Sequence, residues 1–157
     1  MLRISKLTDY ATVILADLSA EPEKLHTAAE VAARTRLAAP TVSKLLKSLQ
    51  RAGLVASARG AHGGYHLTRP PGAISAAAII DALEGPVAIT ECSGEHSHCG
   101  IEHMCRVGHA WQRVNRAIRR ALHDITLAQL AGLESAPMSV PDITASLRGP
   151  GRTPNRV

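Results

Sequence analysis

All three cysteines of the 157-residue chain fall in one short stretch, Cys92-x6-Cys99-x5-Cys105, set among His96, His98, His103, His109, Glu95 and Glu102. Cysteines that merely fill a core scatter through apolar runs. A polar stretch that gathers every thiol is a place for a soft metal centre or for thiol chemistry. Three readings compete. Zinc would take a Cys₃His set, but structural zinc sites usually show a close C-x2–4-C pair, which is missing here. A thiol redox switch needs only a pair and leaves the third cysteine without a role. An iron–sulfur cluster, 2Fe-2S or 4Fe-4S, accepts wider spacings because its ligands attach to different irons, and three thiolates then require a fourth, non-cysteine ligand. An odd cysteine count with no secretory leader argues against a disulfide framework and for the reducing cytoplasm.

The elements around this stretch say what it would control. Net charge is +5, yet no acidic residue lies between Glu30 and Asp81, where Arg34, Arg36, Lys44, Lys47, Arg51, Arg59 and Arg69 all fall. One-signed charge over a folded-looking segment is the footprint of a phosphate-binding face. The chain holds one Trp, two Tyr and no Phe, which disfavours single-strand and RNA binders built on aromatic platforms. No apolar run is long enough to span a membrane.

Hydrophobic periodicity predicts a helix over about Ser5 to Ser19, closed by Glu21-Pro22. Thr27-Ala28-Ala29-Glu30 reads as a capping box opening a short helix to about Arg34. Pro40 suits the first turn of the next helix, which runs to Arg51 and stops at Gly53. Val42, Leu45, Leu46 and Leu49 form its buried stripe and leave Thr41, Ser43, Lys44, Lys47 and Ser48 outward. Leu54–Arg59 and Tyr65–Leu67, joined by Gly60-Ala61-His62-Gly63-Gly64, read as a β-wing with Arg59 at its tip. Two helices, a tight turn and a wing in this order predict a winged helix-turn-helix. Ser75 to Leu83 forms a further helix ended by Gly85-Pro86. Val107, Trp111, Val114, Ile118, Ala121 and Ile125 then recur at alternating steps of four and three, the seam of a self-associating helix. From Glu134 onward the chain shows no periodicity and reads as a disordered tail.

The fold class expected is therefore mainly α with a small β-wing. The expected division is residues 1–70 as the DNA-binding domain, 71–106 as a connecting helix and cysteine loop, 107–133 as a dimerisation helix and 134–157 as the tail. No phosphate-binding loop, paired carboxylates or partnered nucleophile marks an enzyme.

Several stretches resemble the Rrf-type family of bacterial iron–sulfur winged-helix regulators, the IscR- and NsrR-like proteins. They are Met1 to Tyr10, Pro40 to Lys47, Arg59 to Tyr65, Ile79 to Pro86, the three cysteines and Trp111. Leu7-Thr8-Asp9-Tyr10 and Thr90-Glu91-Cys92 most resemble the regulator of the SUF cluster-assembly operon. The resemblance covers about residues 1–133. It implies a homodimer on a double-stranded operator, with the outward residues of the recognition helix at base edges and Arg59 in the minor groove. It also implies a cluster on Cys92, Cys99 and Cys105. IscR-like members add a histidine three residues after the last cysteine, where this chain has Gly108, with His109 one step on. NsrR-like members resemble this chain at Asp9, a carboxylate from the other subunit. Asp9 is thus the expected fourth ligand and His109 the alternative. The function implied is repression of a SUF-type operon. The alternatives are nitric-oxide or redox sensing within the same family, or a zinc-dependent DNA-binding protein.

Overall fold

The first helix, α1 (Lys6–Leu18), begins where Ser5 caps it, the Ser5 hydroxyl accepting from the Thr8 amide at 3.2 Å. A computed structural model describes residues 3–60, 62–93 and 105–134; the expected disordered tail beyond Glu134 lies outside the described residues. Ile14, Leu15 and Leu18 of α1 are fully buried, and they form the floor of the core.

Helix α2 (Ala28–Thr35) starts at the expected capping box, with Thr27 and Glu30 exchanging hydrogen bonds. The Thr27 amide and hydroxyl hold the Glu30 carboxyl below its ordinary range. Arg36 turns the chain at φ 57, a left-handed conformation unusual for a residue with a side chain. Helix α3 (Ala39–Arg51) follows, and Val42, Leu45, Leu46 and Leu49 are its buried stripe. Gly53, at φ 72, provides the left-handed residue that ends it.

Strands β1 (Val55–Ala58) and β2 (Gly64–Leu67) pair antiparallel in the register Val55↔Leu67 to Ala58↔Gly64. The His26 backbone adds to the outer edge of β2 through two hydrogen bonds with Tyr65, of 2.9 and 2.8 Å. That approach needs Gly64, because a Cβ there would lie 2.8 Å from the His26 backbone. The wing is thereby tied to the segment that enters α2.

A single 3-10 turn (Pro71–Ala73) leads into α4 (Ala76–Glu84), capped by the Ser75 hydroxyl. After a second 3-10 turn (Glu91–Ser93), α5 runs Gly108–Asp124. The expected seam does not stay on one helix: the chain leaves α5 at Ile125 in an extended conformation and starts α6 (Leu127–Leu130) with its own capping box, Thr126 with Gln129. Backbone bonds from Ala76 N to Ile125 O (2.8 Å) and Leu127 N to Ile74 O (2.7 Å) tie this bend down. Leu127, fully buried, enters the same core as Leu15 and Leu46. The competing pull is burial, since a helix continued past Ile125 would carry Leu127 away from that core. The observed class is thus helical with a two-stranded wing, as the periodicities predict.

Candidate DNA interface and cysteine site

Helix α3 shows one apolar face and one polar, basic face. Lys44 and Lys47 are exposed and Thr41 and Ser43 partly so, all on the side opposite the buried stripe. No side chain caps the helix N-terminus and no acid stands in its first turn. Its free N–H groups and positive dipole end are left open to an anion. Arg59 is exposed one residue beyond β1. A Gln50 to Ser57 hydrogen bond of 2.8 Å links α3 to the wing.

The basic set is smaller than the sequence alone suggests. Arg34 is held by Asp17 through two nitrogens, at 2.8 and 2.6 Å, and its Nη2 lies 3.2 Å from the buried His26 ring. The Asp17 carboxylate beside it raises the Arg34 pKa further. Arg34 thus braces α2 on α1 and, though still partly exposed, has its charge matched by Asp17. Lys44, Lys47 and Arg59 form no ion pair with any described residue.

The cysteine stretch is only partly within view. Cys99, His96, His98 and His103 lie outside the described residues, and Cys92 is placed by its backbone in the 3-10 turn Glu91–Ser93. Cys105 is free and half-buried, just ahead of α5. A Cβ added at Gly108 would sit 3.7 Å from the Cys105 sulfur. Position 108 is therefore within van der Waals reach of that thiol. Cys105 offers a soft sulfur donor just ahead of α5, the ligand type that iron–sulfur clusters and other thiolate-bound metals take. His109, one step along the helix, is exposed.

Asp9 is exposed in the first turn of α1. Among the described residues no three His, Cys, Asp or Glu side chains converge, so the single chain does not gather Asp9, His109 and Cys105 into one site. The Asp9 turn is nevertheless tied to the cysteine side of the molecule. Glu84, last residue of α4, accepts from the Ser5 amide at 2.9 Å and from the Thr8 hydroxyl. Those two donors, Thr8 foremost, lower the Glu84 pKa. A groove of about 610 Å³ opens beside Asp9, lined by Ile4, Ile79, Ile80, Leu122 and Leu130.

One structural feature, a buried amide, escapes the sequence reading. Asn115 is 3% exposed in the middle of α5 and bonds the segment that leads into the cysteines. On the flank beside it, Val107, Trp111 and Val114 are 58%, 44% and 40% exposed, so the first half of the seam is bare while Ile118 and Ala121 are half-buried. The bare half follows from the a/d spacing; the buried amide had no signal in periodicity.

Residues 4–132 match the model of the Rrf2 family, described as an iron-dependent transcriptional regulator. The regulator CymR of Bacillus subtilis is 33% identical over 131 residues, 83% of this chain and 90% of CymR. Its solved structure, that of a global cysteine regulator, superposes with a TM-score of 0.66 over 86% of this chain and all of that one. IscR of Yersinia pestis is 33% identical over 102 residues, 65% of this chain and 62% of IscR. The T. potens IscR structure is 32% identical and superposes with a TM-score of 0.61, covering 85% of this chain and 89% of that one.

Proposed function

We propose, on the premise that the chain belongs to the Rrf2 family of transcriptional regulators, that it represses a SUF-type iron–sulfur cluster assembly operon and senses through a bound iron–sulfur cluster. The observation that carries this reading is the gathering of all three cysteines in one short stretch of sequence, with Cys105 just ahead of the seam helix. Leu7-Thr8-Asp9-Tyr10 and Thr90-Glu91-Cys92 favour the SUF-operon branch. Cys92, Cys99 and Cys105 would hold the cluster, with Asp9 of the partner subunit as fourth ligand and His109 as the alternative. When bound, the group supplies a redox- and supply-sensitive crosslink among these side chains.

The protein acts as a homodimer on a double-stranded operator in the cytoplasm. Bare Val107, Trp111 and Val114 support a second copy as the partner of α5. Thr41, Ser43, Lys44 and Lys47 enter the major groove and Arg59 the minor groove. Half-sites on B-DNA lie about 34–36 Å apart, so a small change in the angle between the two heads misplaces one of them. Ligation near the seam helix thus alters affinity as a shift between two dimer geometries, with every DNA-contacting residue unchanged. A second reading, a thiol- or nitric-oxide-sensing regulator, uses the same stretch and is favoured by the partial exposure of Cys105.

Anaerobic purification followed by iron, sulfide and zinc assays on one sample tests the proposal. Near-stoichiometric sulfide with broad visible absorption is expected; zinc without sulfide overturns the cluster reading. Cys99→Ala is expected to abolish cluster-dependent control of a reporter operon, and unchanged regulation in that variant counts against the sensing role.

A further inference from the structure

Helix α5 has two buried residues, Gly108 and Asn115. Seven residues apart, they complete nearly two turns, so they share one face and lie about 10 Å from each other along the axis. Gly108 meets Cys105, whose sulfur would be 3.7 Å from any Cβ placed there. Asn115 meets the other arm of the cysteine stretch. Its Oδ1 accepts from the Ile89 amide, and its Nδ2 donates to the Val87 and Ser93 carbonyls, each at 3.2 Å. Cys92 sits between two of those anchor points.

The Val87–Ser93 arm has no strand or long helix of its own to satisfy its backbone, and irregular chain against a helix must find partners for those groups. One carboxamide provides three of them, from a position where a helix of this amphipathic pattern would otherwise carry an apolar or exposed residue. An aliphatic side chain there would leave an amide and two carbonyls without those partners. Aspartate would lose both donors. The side chain is therefore matched to the arm it holds, not to packing within α5 alone.

We infer that Asn115 is the positioning residue of the cysteine site: it fixes the backbone of the Cys92 arm on the α5 face that also seats Cys105, and so sets the spacing of two residues that would hold the cluster. The inference rests on the iron–sulfur reading above. It makes the lifetime of the bound group, and not only the stability of the fold, depend on a residue that supplies no ligand.

The test compares wild type with Asn115→Ala as full-length protein, reconstituted anaerobically with iron and sulfide. Two quantities are followed: the decay of visible absorption after a chelator is added, and amide hydrogen exchange in the apo protein. Losing a buried hydrogen-bond set is expected to speed exchange at Ile89 and to shorten the lifetime of the bound group, each by about five- to tenfold. Exchange in β1 and β2 should not change. Asn115→Ser, smaller but still polar, carries the same comparison where Asn115→Ala does not fold. A freed arm with an unchanged lifetime overturns the positioning role and leaves the cluster reading standing. A wild-type protein that takes up no iron and sulfide fails the cluster reading itself and overturns the inference with it.

Discussion

Helices α3 and α5 are built on opposite terms. Helix α3 has 13 residues and buries Val42, Leu45, Leu46 and Leu49; α5 has 17 and buries only Gly108 and Asn115. The first is held by a continuous apolar core and by a hydrogen bond to the wing. The second half-buries Ile118 and Ala121 and is held by an Arg119–Asp81 contact of 3.4 Å to α4 and by the amide of Asn115. The reading head is thus complete within one chain. The helix beside the cysteines is left half-clothed, and its stability is available to whatever binds it.

Substitutions on the two helices should separate these roles. Leu46→Ala, in the fully packed stripe, is expected to cost about 2–5 kcal/mol, visible in denaturant unfolding and independent of protein concentration. An effect under about 1 kcal/mol would mean that the core is less continuous than it looks. Trp111→Ala should leave the monomer's unfolding nearly unchanged and weaken self-association at least about tenfold in sedimentation. If Trp111→Ala lowers stability as Leu46→Ala does while the dimer persists, α5 is a core helix and the contrast fails.

Smaller effects sharpen the picture. Arg59→Ala is expected to weaken operator binding several-fold and to reduce the slope of log affinity against log salt by about 1, since one cationic contact to DNA is lost. Unaltered salt dependence would remove the wing from the interface. Glu84→Gln has the smallest effect, because the carboxylate is largely exposed. Its pKa is lowered in the folded protein, so its contribution is fully present above the ordinary glutamate value of about 4.3 and is lost as pH falls through the folded value. Melting curves of wild type and Glu84→Gln should differ at neutral pH and converge in acid; a gap that widens in acid would reverse the assignment.

Local signals made the reading head legible. The Thr27–Glu30 capping box, Pro40 in the first turn and Gly53 after the last are dictated by backbone groups within a few residues, and they mark α2 and α3 in the sequence as they stand in the structure. The cysteine side obeys contacts between distant residues. Nothing near Asn115 announces that it will bond residues 22 to 28 positions earlier. Ile125 satisfies the seam spacing, yet the helix has already ended; the capping pair Thr126 and Gln129 was the available clue. Arg34 looked like part of the basic face because its partner, Asp17, lies on another helix. The acid-free segment is plain in the sequence, while the pairing of Arg34 with Asp17 required the fold.

The bend after α5 has a mechanical consequence. Because Ile125 and Leu127 are tied to Ile74 and Ala76, the C-terminal end of α5 is clamped to the core, while Asn115 and Arg119 brace its middle. At 17 residues the helix is about 25 Å long, so a tilt of about 5° at the clamp moves the far tip by about 2 Å. The lever works in reverse as well. A displacement of the same size at the cysteine end reaches the clamp as a few degrees of rotation, delivered through Leu127 directly into the core that carries the recognition helix.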